Sequence, residues 1–303
     1  MYTKDIASKF MEYNNSRDYF IENYRCLIEL EKMFSEIVVQ FVAENIEEIK
    51  SDYNEASYLF PFWQNYPPED RGRMPIGDQY PWIEVGERVF GSKLSGYLRQ
   101  HFSVRDCGIP TGPDERFVLS SDRIRQICEI TDSCWLFLDI KSVGPRDDQE
   151  HAVMSHNQVS GDGKWESVEK GVENTYIIAK GKRAKHPFFC AIPPLYVLSD
   201  DTVVPVVHVT IKPVYQMINQ SVSRKEGGQP LDRVVVFTIP NGILLCINPN
   251  YVDKYPGLFF PGKDDNGKNP KKKRARISFD ILRKIDSWRV TDINATHPPI
   301  NLF

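Results

Sequence analysis

At 303 residues, with 41% hydrophobic and 12% aromatic content, the chain can bury a substantial core, which excludes disorder of the whole. The opening MYTKDIASKF lacks the basic start and apolar run of a secretory signal, and no stretch approaches the roughly 18 apolar residues of a membrane span, so a soluble, cytoplasmic protein is expected. The net charge of −3 alone argues against a nucleic-acid partner, but residues 1–60 hold six Lys/Arg against twelve Asp/Glu and residues 261–303 hold ten against five, so one face can still meet phosphates.

From Tyr24 to Ile49, apolar side chains at 24, 27, 30, 34, 37, 38, 41, 42, 46 and 49 keep helical spacing and predict one long amphipathic helix. Residues 58–82, dense in proline and aromatic side chains, predict an irregular, packed connection, and a second helix is expected from about Trp82 to Gln100. Short extended runs follow at 117–121, 134–143, 202–211, 233–239, 243–247 and 274–279, with Pro240-Asn241-Gly242 read as a hairpin turn between two of them. Helices followed by strands without βαβ alternation predict an α/β or α+β fold with a mixed sheet. The chain is read as a single domain, 1–100 mainly helical and 101–303 carrying the sheet. Six cysteines occur without a CxxC pair, which predicts buried, reduced thiols and no zinc cluster.

Walker, GxGxxG, GxSxG and HExxH patterns are absent, so no nucleotide cofactor is expected, and His208 within VVHVTI reads as a core or edge-strand residue. Pro113-Asp114 is the only Pro-Asp step, and Asp139-Ile140-Lys141 lies downstream of it. Two carboxylates brought together from adjoining strands make a hard-oxygen site for Mg²⁺, which polarises a phosphodiester and lowers the pKa of a water. Lys141, two residues beyond Asp139, projects from the same strand face, where an ammonium neutralises transition-state charge. Other (D/E)xK triplets, at 48–50 and 162–164, neither follow Pro-Asp at a usable distance nor lie in a strand context. The rival reading of Asp139 and Lys141 is a surface salt bridge.

In Pro261 to Phe279, Arg274 and Arg276 alternate along a short strand, with Lys263 and Asp265 in the adjacent loop. Arginine and lysine donate to guanine O6 and N7, aspartate accepts from cytosine N4, and Lys271, Lys272 and Lys273 suit phosphates. The plainer alternative for this run is a solvated basic surface.

Several long segments then carry a resemblance: residues 52–87, PTGPDERF (110–117), LDIKSVGPRD (138–147), NQVSG (157–161), IPPLYVLSD (192–200), IPNG (239–242), and PGKDD followed by KRAR (261–276). The chain resembles the BglI-type restriction endonucleases of the PD-(D/E)xK superfamily. The resemblance implies a restriction-endonuclease-like core and a Mg²⁺-dependent homodimer. Such an enzyme cleaves double-stranded DNA at GCCNNNNNGGC and leaves 3′ overhangs with 5′-phosphate and 3′-hydroxyl ends. It implies Asp114, Asp139 and Lys141 as the catalytic trio, with the Ile140 carbonyl as a further metal ligand. It makes Asp147, Lys263, Asp265, Arg274 and Arg276 base readers, and Glu87 either a water-mediated metal contact or a helix-surface salt bridge. The rivals from other classes are a catalytically silent DNA-binding module, which needs no lysine at 141, and a less specific repair nuclease, which needs no arginine pair.

Overall fold

The computed structural model describes residues 6–53, 81–106, 114–143, 149–181, 185–215, 231–261 and 274–294. Two helices open the chain, α1 (Ile6–Glu22) and α2 (Tyr24–Glu44), and a third, α3, spans 46–53. The helix expected over 24–49 is therefore interrupted at Asn45, whose backbone N–H and side-chain amide both donate to the Phe41 carbonyl and close α2. The α1 helix lacks a clear apolar stripe and buries only Tyr13 and Phe20, so its spacing gave no helical signal. By contrast, α2 buries Leu27, Leu30, Phe34, Val38, Phe41 and Val42 along one face, which packs against the sheet.

The fourth helix, α4 (Pro81–Leu98), begins on a proline, which suits a first helical position because its missing N–H would find no partner there. The connection expected over 58–82 lies almost wholly outside the described residues. Beyond α4 come β1 (Ser103–Asp106), β2 (Glu115–Ser120), a short α5 (Asp122–Ile127) capped by the Ser121 side chain, and β3 (Ser133–Ile140). A long crossover carries β4 (His151–Met154), β5 (Lys164–Trp165), β6 (Val172–Glu173), β7 (Tyr176–Lys180), β8 (Lys185–Phe189) and β9 (Leu195–Val197). It returns as β10 (Val203–Tyr215), parallel to β3, with β11 (Leu231–Ile239) antiparallel beyond it. The expected end of that strand at 211 is overrun by four residues, through Pro213.

The expected strand over 243–247 and the hairpin turn before it are corrected. Gly242–Cys246 is a helix, α6, and Asn241 is its N-cap, accepting from Ile243 N. A five-residue apolar run fits a buried helix as readily as a strand, and an asparagine serves as a cap as readily as in a turn. The chain ends with α7 (Tyr251–Lys254), β12 (Phe259–Pro261), β13 (Ala275–Ser278), α8 (Phe279–Ile285) and β14 (Val290–Asn294).

The main sheet runs β1-β2-β3-β10-β11-β14, with β9 paired to the start of β10, and a smaller sheet runs β12-β13-β4. Side chains alternate across β3. Cys134, Leu136, Leu138 and Ile140 enter the large core with α1 and α2, while Trp135 and Phe137 enter a smaller cluster with Val118, Ile192, Leu198, Val204 and Val206. Glu31 on α2 and Arg289, both fully buried, pair at 2.8 Å, and Glu31 also accepts from Asn241 N, which ties the helical layer to the α6 turn. The described cysteines are free thiols, and Cys107 lies outside the described residues.

His208, in the middle of β10, is 3% exposed and lies edge-on to Phe137; its Nε2 finds no hydrogen-bond partner among the described residues. Burial pushes its pKa down from 6.5 to about 3. The unfolded chain takes up a proton below pH 6.5 and the folded chain does not until about pH 3, so stability present above 6.5 is lost as the pH falls toward 3. Between pH 7 and pH 5 this one group should remove about 2 kcal/mol. His208→Phe should abolish that part of the loss, as read by urea denaturation at the two pH values, and an unchanged difference would contradict the assignment.

Candidate active site

The antiparallel register of β2 and β3 sets Val118 opposite Trp135, Arg116 opposite Phe137 and Glu115 opposite Leu138, so the next pair in that register is Asp114 and Asp139. The parallel register on the other side sets Val206 beside Trp135, His208 beside Phe137 and Thr210 beside Asp139. One face of the adjoining strands therefore changes along its length from apolar, through Arg116, Phe137 and His208, to the polar pair Asp139 and Thr210, with Asp114 at the end of β2 beside them. Lys141 comes one step later. Its backbone N–H donates to Ile211 O at 2.9 Å, so the extended geometry continues past the end of β3 and keeps its side chain on the face of Asp139.

The β2–β3 backbone ladder stops at Glu115, and the Asp114 carboxylate takes over the next rung: its Oδ2 accepts from the Ile140 N–H at 2.7 Å. Asp139, 5% exposed, holds the Lys141 ammonium at 2.8 Å through Oδ2. Its other oxygen accepts from Gln158 Nε2 at 2.5 Å, and Gln158 Oε1 accepts from Lys141 Nζ at 3.2 Å. Taking two such charges out of water costs about as much as their attraction returns, so this pair is poor evidence for stability and better evidence for chemistry.

Gln158 escaped the sequence reading. Ser155-His156-Asn157-Gln158 fits a capping box, and the box is formed, with Ser155 N donating to Gln158 Oε1 at 2.9 Å. That pattern could have revealed the local turn but not its partners at 139 and 141. Lys212 is a second omission. Although 1% exposed, it donates to the carbonyls of Gln149 and His151 at 3.1 and 2.7 Å. A lysine inside an apolar strand was its only signal.

Glu87 lies on α4, next to Gly86, where an added Cβ would come within 2.4 Å of both the Ser142 Oγ and the Tyr53 hydroxyl, so the α4 backbone closely approaches the chain just past Lys141. Arg276 lies on β13 opposite Val153 of β4, with Arg274 exposed just before the strand. The catalytic candidates and these two arginines thus stand on neighbouring sheets joined through β4. Asp147, Lys263, Asp265 and Lys272 lie outside the described residues.

Among the described residues no group of three or more His, Cys, Asp or Glu side chains stands ready for a metal. The groups available there, the Asp114 and Asp139 carboxylates and the Ile140 main-chain carbonyl, could supply only oxygen donors. Such a set suits a hard cation that keeps several waters and does not suit a tetrahedral nitrogen or sulfur site.

A family profile described as restriction endonuclease BglI matches residues 8–293. The chain belongs to the BglI family of restriction endonucleases. The type II restriction enzyme BglI of Bacillus subtilis is 45% identical over 290 residues, which cover 94% of this chain and 96% of that protein. The crystal structure of BglI bound to its DNA recognition sequence superposes with a TM-score of 0.86 at 44% identity, covering 98% of this chain and 100% of that one. The tetrameric restriction endonuclease SfiI bound to cognate DNA shares the fold alone, at a TM-score of 0.57 and 13% identity over 88% of this chain and 83% of that one. As a BglI-family member this chain is a type II restriction enzyme, a site-specific deoxyribonuclease, and such enzymes generally need a divalent metal. Among the described residues no helix is long and apolar enough to cross a membrane.

The ladder-capping role of Asp114 can be separated from its charge. Asp114→Asn keeps an acceptor for the buried Ile140 N–H, whereas Asp114→Ala leaves that donor unpaired and should cost about 1 to 3 kcal/mol more. Urea denaturation of the two variants checks this, and equal stabilities would contradict the capping role.

Proposed function

We propose that this enzyme is a Mg²⁺-dependent homodimer that cleaves both strands of GCCNNNNNGGC in double-stranded DNA, leaving 3′ overhangs with 5′-phosphate and 3′-hydroxyl ends. We read the chain as one endonuclease domain acting in the cytoplasm, where DNA is met. The observation that carries the reading is that Asp139 pairs with Lys141 at a strand end where the Asp114 carboxylate accepts from the intervening Ile140 N–H, in a chain 45% identical to a named BglI enzyme. An interrupted palindrome has two-fold symmetry, which a pair of identical protomers matches, one per half-site.

Asp114 and Asp139, with the Ile140 carbonyl, would hold the metal. When bound, Mg²⁺ supplies Lewis acidity toward the scissile phosphate and lowers the pKa of a water. Lys141, held beside Asp139 at 2.8 Å, offers its ammonium to the charge that grows on the phosphate in the transition state. Its partial burial strengthens that contribution by keeping bulk water away. Asp147, Lys263, Asp265, Arg274 and Arg276 would read base edges, Lys272 would contact phosphate, and Glu87 would serve as a water-mediated metal contact.

Asp139→Ala should abolish cleavage while leaving DNA binding, and Lys141→Ala should bind cognate duplex in Ca²⁺ yet cleave it in Mg²⁺ slower by at least about 100-fold. Near-wild-type cleavage by either variant would overturn the proposed active site. For readout, Arg276→Ala should cost about 1 to 3 kcal/mol on cognate duplex and little on scrambled duplex, whereas Lys272→Ala should weaken both alike and lower the salt slope by about one. Binding isotherms at several salt concentrations separate the two, and equal losses on both duplexes for Arg276→Ala would assign that arginine to the backbone.

A further inference from the structure

We propose that Gln158 is a positioning residue that makes the arrangement of Asp139 and Lys141 depend on what Arg276 contacts. The inference rests on reading Asp139 and Lys141 as the catalytic pair and Arg276 as a base reader. Gln158 bonds to both members of that pair: its amide nitrogen donates to Asp139 Oδ1 and its oxygen accepts from Lys141 Nζ. The same oxygen accepts from the Ser155 backbone N–H, which fixes which end of the amide faces the carboxylate. A carboxamide can serve a carboxylate and an ammonium at once. A glutamate at this position would have no donor for Asp139, and a methionine would have neither donor nor strong acceptor.

The anchor of this amide, Ser155, directly follows β4, where Val153 pairs with Arg276 and Met154 with Ala275. The other end of β4 is also tied down. Fully buried Lys212, from the strand beside the catalytic one, clamps Gln149 O and His151 O, Arg233 donates to the Gln149 side chain at 2.9 Å, and Phe279 N donates to Glu150 O at 3.2 Å. Because β4 is fastened to β10 at its start and paired with β13 along its length, a displacement of β13 is passed through that pairing to the turn that bears Gln158. The amide therefore registers the position of Arg276. When that arginine engages its guanine, Gln158 holds the carboxylate and ammonium in the productive geometry. When a wrong base pair displaces β13, the pair is displaced too, and a shift of about 1 Å at a reacting group is enough to cost about 100-fold in rate. Discrimination is thereby applied at the chemical step as well as in binding.

The test is a double-mutant cycle on single-turnover cleavage by the full-length enzyme in Mg²⁺, using wild type, Gln158→Met, Arg276→Ala and the double variant. Binding of the same duplexes in Ca²⁺ and thermal melting are measured alongside. Gln158→Met should cleave cognate duplex about 100-fold more slowly while binding it within about threefold of wild type. Its preference for cognate over a duplex with one altered base pair, measured on the cleavage rate of the bound complex, should fall by about tenfold or more. In the cycle, the double variant should be about tenfold faster than the product of the two single effects predicts. Equal slowing on both duplexes, or strictly multiplicative effects in the cycle, would reduce Gln158 to a local support and overturn the proposal. If Gln158→Met melts early, Gln158→Glu carries the same test in harsher form, since it keeps acceptors for Lys141 and Ser155, removes the donor to Asp139 and sets a second negative charge against that carboxylate. An Arg276→Ala enzyme with unaltered base preference, or a Lys141→Ala enzyme that cleaves normally, would instead fault the underlying site assignment, and the coupling would fall with it.

Discussion

The parallel pairing of β3 with β10 is the constraint on which the rest of the molecule depends. It sets β3 in the middle of the sheet, buried from Ser133 to Ile140 under side chains on both faces, and it continues past the strand end through the bond from Lys141 N to Ile211 O. Placing charged groups at the end of such a strand is costly unless neighbours satisfy them. Asp114 arrives just before β2 and accepts from Ile140 N, Thr210 of β10 stands in register with Asp139, and Gln158 comes from the turn after β4. Parallel strands also require a long crossover between them. Here the crossover carries β4, which pairs with the arginine-bearing β13, so the same topological demand that builds the catalytic strand brings the second sheet against it.

This arrangement gives the electrostatics a consistent direction. Along one sheet face the residues run from the Trp135 cluster through neutral His208 to Asp139 and Lys141, with the apolar end excluding water from the polar end. The buried lysine at 212 donates to the carbonyls of Gln149 and His151, so its ammonium helps to orient the backbone of 149–151. Such a clamp suits a protein in which two sheets must keep a fixed relation while one of them grips a polyanion.

Much of the site was legible in the chain because its parts are local. Asp139 and Lys141 are two residues apart on an apolar run, and period-two alternation puts them on one face without knowledge of any neighbour. The arginines at 274 and 276 follow the same logic, although the regular strand begins only at Ala275. What escaped depends on contacts distant in sequence or on ambiguous local signals. Gln158 reaches Asp139 only through the fold of the crossover. The 243–247 run is apolar enough for a strand, yet Asn241 is pinned by the Pro194 and Val206 carbonyls and turns the following residues into a helix. The α1 helix has too little apolar periodicity to declare itself, and α2 stops at Asn45 because that side chain competes for a main-chain carbonyl. The β10 strand continues through Pro213, a residue that ordinarily argues against a central strand, because the neighbouring Lys212 and Val214 still complete the register with β11.

With carboxylates and a lysine at one strand end, this fold is read as a metal-dependent enzyme that cuts DNA at one interrupted palindrome. Digestion of a plasmid of known sequence by the purified protein, with every fragment end sequenced, tests this most directly. The account predicts discrete cuts in both strands within GCCNNNNNGGC, with 3′ overhangs, when Mg²⁺ is supplied and none when it is chelated. Cleavage scattered over unrelated sequences, or cutting that persists in excess chelator, would contradict it.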